Sequence, residues 1–253
     1  MNIIITIKIT KLTTILLREY SCFMIKRIYH GSNLIIKQPE LGKGKIHNDY
    51  GQGFYCTEDK NLAMEWAVDE AKNGFANCYD IDLEGLDIID LCSDKYTILN
   101  WLEILIENRI FDMSYELTIN ASAYLKDNFN VDYYNCDLMV GYRADDSYFA
   151  FARDFLNGAI SLRQLNRALY LGKLGTQIVL KSENAFDRLR YVSSEEAESS
   201  IWYPKKKVRD RSARNDYKEL RQEKILNEDI YMIDLIRGDI KADDERLRRG
   251  LSI

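Results

Sequence analysis

The chain has 253 residues, 46% hydrophobic and 30% charged, with a formal net charge of -5. That size holds one large domain or one domain with an appendage, and the negative balance excludes a general attraction to nucleic acid or anionic membranes. Five scattered cysteines without CxxC spacing (Cys22, Cys56, Cys78, Cys92, Cys136) argue against a metal site or a disulfide framework and fit a reducing cytoplasm.

Residues 1–23 are rich in Ile, Leu and Thr, but Lys8 and Lys11 interrupt them too much for a membrane-spanning helix. No small-residue cleavage site is evident. Met24 directly precedes Ile25-Lys26-Arg27-Ile28 and is read as the natural start, with residues 1–23 an extension; a β-prone extra strand is the alternative. The next apolar run closes on Tyr29-His30-Gly31-Ser32. One of only two histidines thus sits at a strand end, where glycine lets a ligand approach and imidazole and hydroxyl supply hydrogen bonds. About twenty residues on, Asp49-Tyr50-Gly51-Gln52-Gly53-Phe54-Tyr55-Cys56-Thr57 reads as a glycine-bracketed turn into a strand presenting Tyr55. Thr57 is the expected cap of a helix with Leu62, Ala63, Trp66, Ala67 and Ala71 on one face, stopped by Gly74.

Tyr79, Ile81 and Leu83 alternate with Asp80 and Asp82, a half-buried strand. Asp94 is the expected cap of a helix burying Ile98, Leu99, Trp101, Leu102, Leu105 and Ile106, and a second helix is expected over residues 115–128. Ser161-Leu162-Arg163-Gln164 reads as a capping box leading a helix to Gly172. Residues 175–181 read as a strand, and Ser182 caps a short helix holding Phe186 and Leu189. Irregular alternation of strands and helices suits an α+β split sheet better than a doubly wound one, and no GxGxxG opens a helix after a strand.

From residue 193 onward the chain carries 14 basic and 14 acidic residues, leaving 21 and 26 of the total 35 and 40 before it. Lys205, Lys206, Lys207, Arg209, Arg211 and Arg214 cluster, and Leu220, Ile225, Ile230, Ile233, Leu235 and Ile236 recur at helical spacing. The expected division is an extension over 1–23, a main domain over 24–192, and a charged helical appendage over 193–253. The appendage is expected to pack on the domain and to serve acceptor or partner choice.

The order of these motifs resembles the ADP-ribosyltransferase superfamily, in its histidine–tyrosine–glutamate branch. His30-Gly31-Ser32 matches the first-strand motif and Gly51-Gln52-Gly53-Phe54-Tyr55 the second, with an aromatic, Trp66, eleven residues after Tyr55. Gln177 stands where the branch usually has glutamate. The segments 136–141 and Ala144-Asp145-Asp146 resemble a bacterial subgroup of unassigned function placed in that superfamily. The resemblance covers residues 24–192. It implies an ADP-ribosyltransferase-like split sheet, NAD+ as co-substrate, no metal, and a protein or nucleic-acid acceptor. Relatives beside a small antitoxin-like partner imply a toxin–antitoxin or defence role, without a membrane.

By the same resemblance His30, Tyr55 and Gln177 are catalytic, and Gly31, Ser32, Gly53 and Trp66 hold the co-substrate. His30 would bond the adenosine ribose, Gly31 and Ser32 the carboxamide, and Tyr55 and Trp66 would sandwich the nicotinamide. Asp145 and Asp146 are substrate-side candidates and, with Glu183, possible sources of the charge Gln177 lacks. Gly175 disfavours arginine as the modified residue. Residue by residue, duller readings stay open: Tyr55 and Trp66 as core aromatics, His47 as an exposed loop residue, the 205–214 cluster as a solvated face. A degenerate nucleotide- or protein-binding module and an NAD+ glycohydrolase are the alternative functions.

Overall fold

The computed structural model describes residues 25–144, 146–173 and 175–249. The expectations for residues 1–23, and for the side chains of Asp145 and Asp146, lie outside what is described. The fold is mixed α+β, built on two sheets. One is antiparallel, in the order β1 (Ile25–Ser32), β3 (Gly74–Asp82), β7 (Leu189–Ala197). The other runs β2 (Phe54–Cys56), β6 (Thr176–Leu180), β5 (Leu138–Tyr142), β4 (Ile88–Asp90), with only β4 and β5 parallel.

A backbone bridge joins the two sheets. Tyr29 and Thr57 exchange backbone hydrogen bonds of 2.8 and 2.9 Å, so β1 meets the chain just past β2. A shared apolar layer fills the angle between them, with Ile28, Tyr79 and Ile81 from the first sheet against Phe54, Leu138, Ile178 and Leu180 from the second. On the solvent side Asp80 joins Arg27 (2.8 Å) and Arg190 (3.2 Å), one carboxylate pairing three strands.

Helix α1 (Lys60–Ala67) lies across β1 and β3. Its cap is Asp59, whose carboxylate accepts from the amides of Asn61 and Leu62; Thr57, the expected cap, instead accepts from the amide of Asp59. The helix also ends earlier than Gly74, because Val68 is extended. Gly74 opens β3, where a Cβ would stand 2.0 Å from the Ala67 carbonyl, so glycine there allows a strand to pass under a helix end.

Helices α2 (Ile98–Asn108), α3 (Glu116–Phe129), α4 (Asp146–Leu156) and α5 (Leu162–Ala168) cover the second sheet and enclose the largest core around Trp101, Phe129, Phe151 and Phe155. Thr97 and Asn100 form the box at the start of α2, in place of Asp94. Ser161 and Gln164 form the box on α5 as expected. Ser182 caps α6 (Glu183–Asp187).

One buried charge sets a pH dependence. Glu103, on α2, is 3% exposed, and its Oε2 meets no donor among the described residues. Burial, then the neighbouring Glu107, pushes its carboxyl up to about 7. The folded chain keeps a proton that the unfolded chain releases near the ordinary value. The penalty is absent below that value, grows as pH rises and is complete above the folded one. Glu103→Gln is therefore expected to stabilise the protein by roughly 2–3 kcal/mol near about pH 8 and to change little near about pH 4. Thermal melts at the two pH values check this, and a variant that gains nothing at the higher value contradicts it.

Past the expected boundary at 192 the chain is still in β7, which runs to Ala197. Helix α7 (Ser199–Arg221) follows, with Pro204 in its second turn, then α8 (Met232–Arg237) and α9 (Glu245–Arg249). The Ser199 hydroxyl donates to Asp69 O at 2.7 Å, Lys206 donates to Val68 O at 3.0 Å, and the Tyr217 ring lies 3.8 Å from that of Phe151. The appendage is helical and fastened along its length. None of the helices is long and apolar enough to cross a membrane, among the described residues.

Candidate functional site

Where the two sheets meet, a cleft of about 610 Å³ opens beneath α7. His30 and Gly31 from β1, Tyr55 from β2, Trp66 from α1 and Gln177 from β6 all line it. Residues far apart in sequence converge because β1 and β2 are bridged beside His30 and β2 pairs with β6.

His30 Nδ1 lies 2.7 Å from Tyr55 O, and its ring stacks on Phe54 at 4.3 Å. A carbonyl only accepts, so Nδ1 carries the proton and Nε2 is the acceptor. Burial pushes the imidazole below its usual value, against the carbonyl contact that raises it, which favours that neutral form. Gly31 is where α1 lies on β1: a Cβ would fall 2.1 Å from the Ala63 carbonyl. The Tyr55 hydroxyl donates to Gly51 O (2.6 Å) and accepts from the Tyr50 amide (3.0 Å), pinning the turn that opens β2. Gly51 takes φ +72, which glycine adopts freely.

Gln177 is 3% exposed, and its Nε2 donates to Asp49 Oδ2 at 2.8 Å and to Tyr142 O at 3.2 Å. Asp49 is also buried and in the cleft wall. Its Oδ2 accepts from the Ala144 amide at 2.8 Å, and its Oδ1 from Arg109 at 3.1 Å. Burial pushes the Asp49 carboxyl above its usual range, while Ala144, Gln177, Arg109 and Arg143 pull it back. Its hydrogen-bond partners among the described residues are all donors, the set that an ionised carboxylate satisfies. The Tyr142 carbonyl is a hub, accepting also from Tyr50 (2.7 Å) and Trp101 (3.1 Å).

The guanidinium of Arg143 lies 4.0 Å from the centre of the Trp66 ring, within cation–π range. Across the cleft, α7 contributes Tyr203, Lys206, Lys207, Arg209 and Arg214. Arg209 grips the buried Glu65 of α1 through two bonds of 2.8 and 2.9 Å and donates to Gly172 O at 2.8 Å. The tail is therefore one wall of the cleft, where the sequence alone assigns it only to acceptor or partner choice.

Ser32 and Gly53 do not reach the cleft. The Ser32 hydroxyl donates to Leu34 O at 2.6 Å and accepts from Asn77, which ties it to its own loop and to β3. Gly53 serves packing, since a Cβ there would stand 2.5 Å from Val179 Cγ1. Glu183 is exposed at the start of α6, outside the cleft, and His47 is exposed in its loop. Asp49, Arg109, Arg143 and Glu65 were not singled out from sequence; Asp49 alone carried a signal, as the first residue of the glycine-bracketed segment. No group of three or more His, Cys, Asp or Glu able to hold a metal occurs among the described residues.

No curated protein and no solved structure matches the chain. A family model does match, over residues 26–191, a span that holds His30, Asp49, Tyr55, Trp66 and Gln177. The chain belongs to the family described as protein of unknown function (DUF3990).

Proposed function

We propose that the chain is an NAD+-dependent ADP-ribosyltransferase acting on a macromolecule, with an ADP-ribosyltransferase-like split sheet as its core. The observation that carries this reading is the convergence of His30, Tyr55, Trp66 and Gln177 on one cleft at the sheet junction. The cationic groups of Arg143, Lys206 and Lys207 around the same space suit the two phosphates of NAD+.

In this reading the bond between nicotinamide and ribose breaks heterolytically. Nicotinamide leaves with the electron pair, positive charge develops on the ribose, and a nucleophile of the acceptor bonds to the same carbon while losing its proton. The chain's work is to bind and orient: His30 Nε2 accepts from a ribose hydroxyl, and Tyr55 and Trp66 flank the departing ring. Asp49, held by Arg109 and Gln177, brings to the cleft wall the negative charge that Gln177 lacks. A small antitoxin-like protein partner, as in toxin–antitoxin or defence systems, belongs to the reading. The second reading, a nucleotide-binding module without turnover, draws on Gln177 being an amide and on Arg143 covering the Trp66 ring.

Incubating the purified protein with NAD+ labelled in its adenosine half, with and without cell lysate, tests the reading. Label on a macromolecule is the expected result. Free ADP-ribose without lysate would mean hydrolysis, and unchanged NAD+ in both arms would mean no turnover. Trp66→Ala is expected to weaken NAD+ binding by roughly 5- to 150-fold, on the order of 1–3 kcal/mol, through lost ring burial. Calorimetry measures it, and an affinity equal to the wild type's would remove Trp66 from the binding site.

A further inference from the structure

We propose that Asp49 is a positioning residue: it fixes the Gln177 amide so that the carbonyl oxygen, and not the NH2 group, is presented to the ligand. A glutamine side chain is chemically two-faced, with an acceptor at Oε1 and two donors at Nε2. Which face meets the ligand is decided by what holds the other. Here the inner end of Gln177 meets two acceptors, Asp49 Oδ2 at 2.8 Å and Tyr142 O at 3.2 Å. A flipped amide would set Oε1 against a carboxylate and a carbonyl, two repulsive contacts in a site that is 3% exposed. The orientation follows from the chemistry of the partners, a carboxylate and a carbonyl.

Each partner is itself held. Asp49 keeps its place through the Ala144 amide and Arg109, and Tyr142 is the last residue of β5, in register with Thr176 on β6. Gln177 Oε1 receives no hydrogen bond among the described residues, while the side chain lines the cleft. It is the acceptor left over. The ligand group it fits is a hydroxyl donor, and a carboxylate bonded to Nε2 polarises the amide so that Oε1 carries more negative charge. Gln177 thereby keeps the acceptor role of a carboxylate oxygen, with the formal charge one residue behind it.

The identity of the hydroxyl, one of the two on the nicotinamide ribose, rests on the NAD+ reading above; the orientation of the amide does not. The test uses the full chain as wild type, Asp49→Asn, Gln177→Met and the double variant. Two measurements are made. The first is the side-chain amide signal of Gln177 in a nitrogen–proton correlation spectrum. The second is affinity for NAD+ and for analogues lacking one or other nicotinamide-ribose hydroxyl.

The wild type is expected to show a shifted, exchange-protected Gln177 amide and about tenfold weaker binding of one deoxy analogue. Asp49→Asn is expected to return the amide signal towards that of a solvated glutamine and to reduce the discrimination below about threefold. In the Gln177→Met background, Asn at position 49 is expected to change the discrimination no further. Far-ultraviolet circular dichroism of each variant identifies any that fails to fold, in which case the wild-type amide signal and Gln177→Met decide.

An unprotected wild-type amide, or one unchanged by Asp49→Asn, would overturn the proposal. So would equal discrimination in the wild type and Asp49→Asn. A wild type that binds no NAD+ would sink the functional reading and the ribose assignment with it. The amide signal would still decide whether Asp49 orients Gln177.

Discussion

Gln177→Glu is expected to be markedly destabilised near about pH 8, by roughly 3–5 kcal/mol, and to recover most of that near about pH 5. Under the proposed function a glutamate is the residue expected at this position, so introducing it looks like a repair. The geometry makes it the opposite. The position faces Asp49 Oδ2 at 2.8 Å and Tyr142 O at 3.2 Å, both acceptors, in a buried site. A second carboxylate cannot ionise there beside the first, so the pair retains a proton that the unfolded chain releases near the ordinary carboxylate value. The penalty is absent below that value and grows as pH rises towards the raised folded one. Protonated, the new side chain can donate to Asp49 as the amide does; ionised, it cannot. Under the proposed function, transfer by this variant should fall over the same pH range. Thermal melts at the two pH values, beside the wild type, measure the effect. A variant as stable as the wild type at the higher pH would mean that Gln177 does not donate to Asp49.

Local chemistry was readable in the sequence wherever one short segment decides the outcome. The Ser161–Gln164 box and the Ser182 cap are contacts across three residues, and they form as read. Where two polar residues compete for one helix start, spacing alone does not choose. Thr97 replaces Asp94 because its partner Asn100 lies at the right offset to return the bond to the Thr97 amide. Gly74 misled for a related reason. Glycine after an apolar run reads as a helix stop, but here it is required by the approach of α1 to β3, a tertiary contact.

The cleft residues divide along the same line. His30, Tyr55 and Trp66 are legible because each lies in a motif with its own internal spacing, and Gln177 through a strand reading and its place in the resemblance; all four line the cleft. Asp49, Arg109 and Arg143 belong to one electrostatic unit only after α2, β5 and the turn before β2 have been brought together, across sequence separations that carry no period. The sequence offers Asp145, Asp146 and Glu183 as sources of the charge that Gln177 lacks. The carboxylate described against Gln177 is Asp49, inside the glycine-bracketed segment but without a partner that the sequence could name. Ser32 fell out for the converse reason, because a hydroxyl beside glycine can satisfy its own loop as readily as a ligand.

The Arg209–Glu65 pair gives the second large expected effect. Its two bonds of 2.8 and 2.9 Å join α7 to α1, and the Glu65 side chain is 5% exposed. Arg209→Met leaves that carboxylate desolvated without its cation, a change expected to cost about 3–5 kcal/mol. Glu65 stands in the same cleft wall as Trp66, and Arg209 also holds the Gly172 carbonyl at 2.8 Å, so α7 should loosen on that side and, under the proposed function, NAD+ affinity should fall with stability. Removing both partners, Glu65→Met with Arg209→Met, takes away the buried charge as well as the bond. The double variant is therefore expected to recover much of the lost stability, since apolar replacement of an intact buried pair is often close to neutral. It should recover less of the affinity, because the link to Gly172 is still missing. Urea melts of the single and double variants, with calorimetry of NAD+ on each, separate the two effects. Coupling below about 0.5 kcal/mol in that cycle would mean that the pair does not fasten α7 to the cleft. Affinity that follows stability all the way back would mean that α7 supports the fold of the wall without shaping the site.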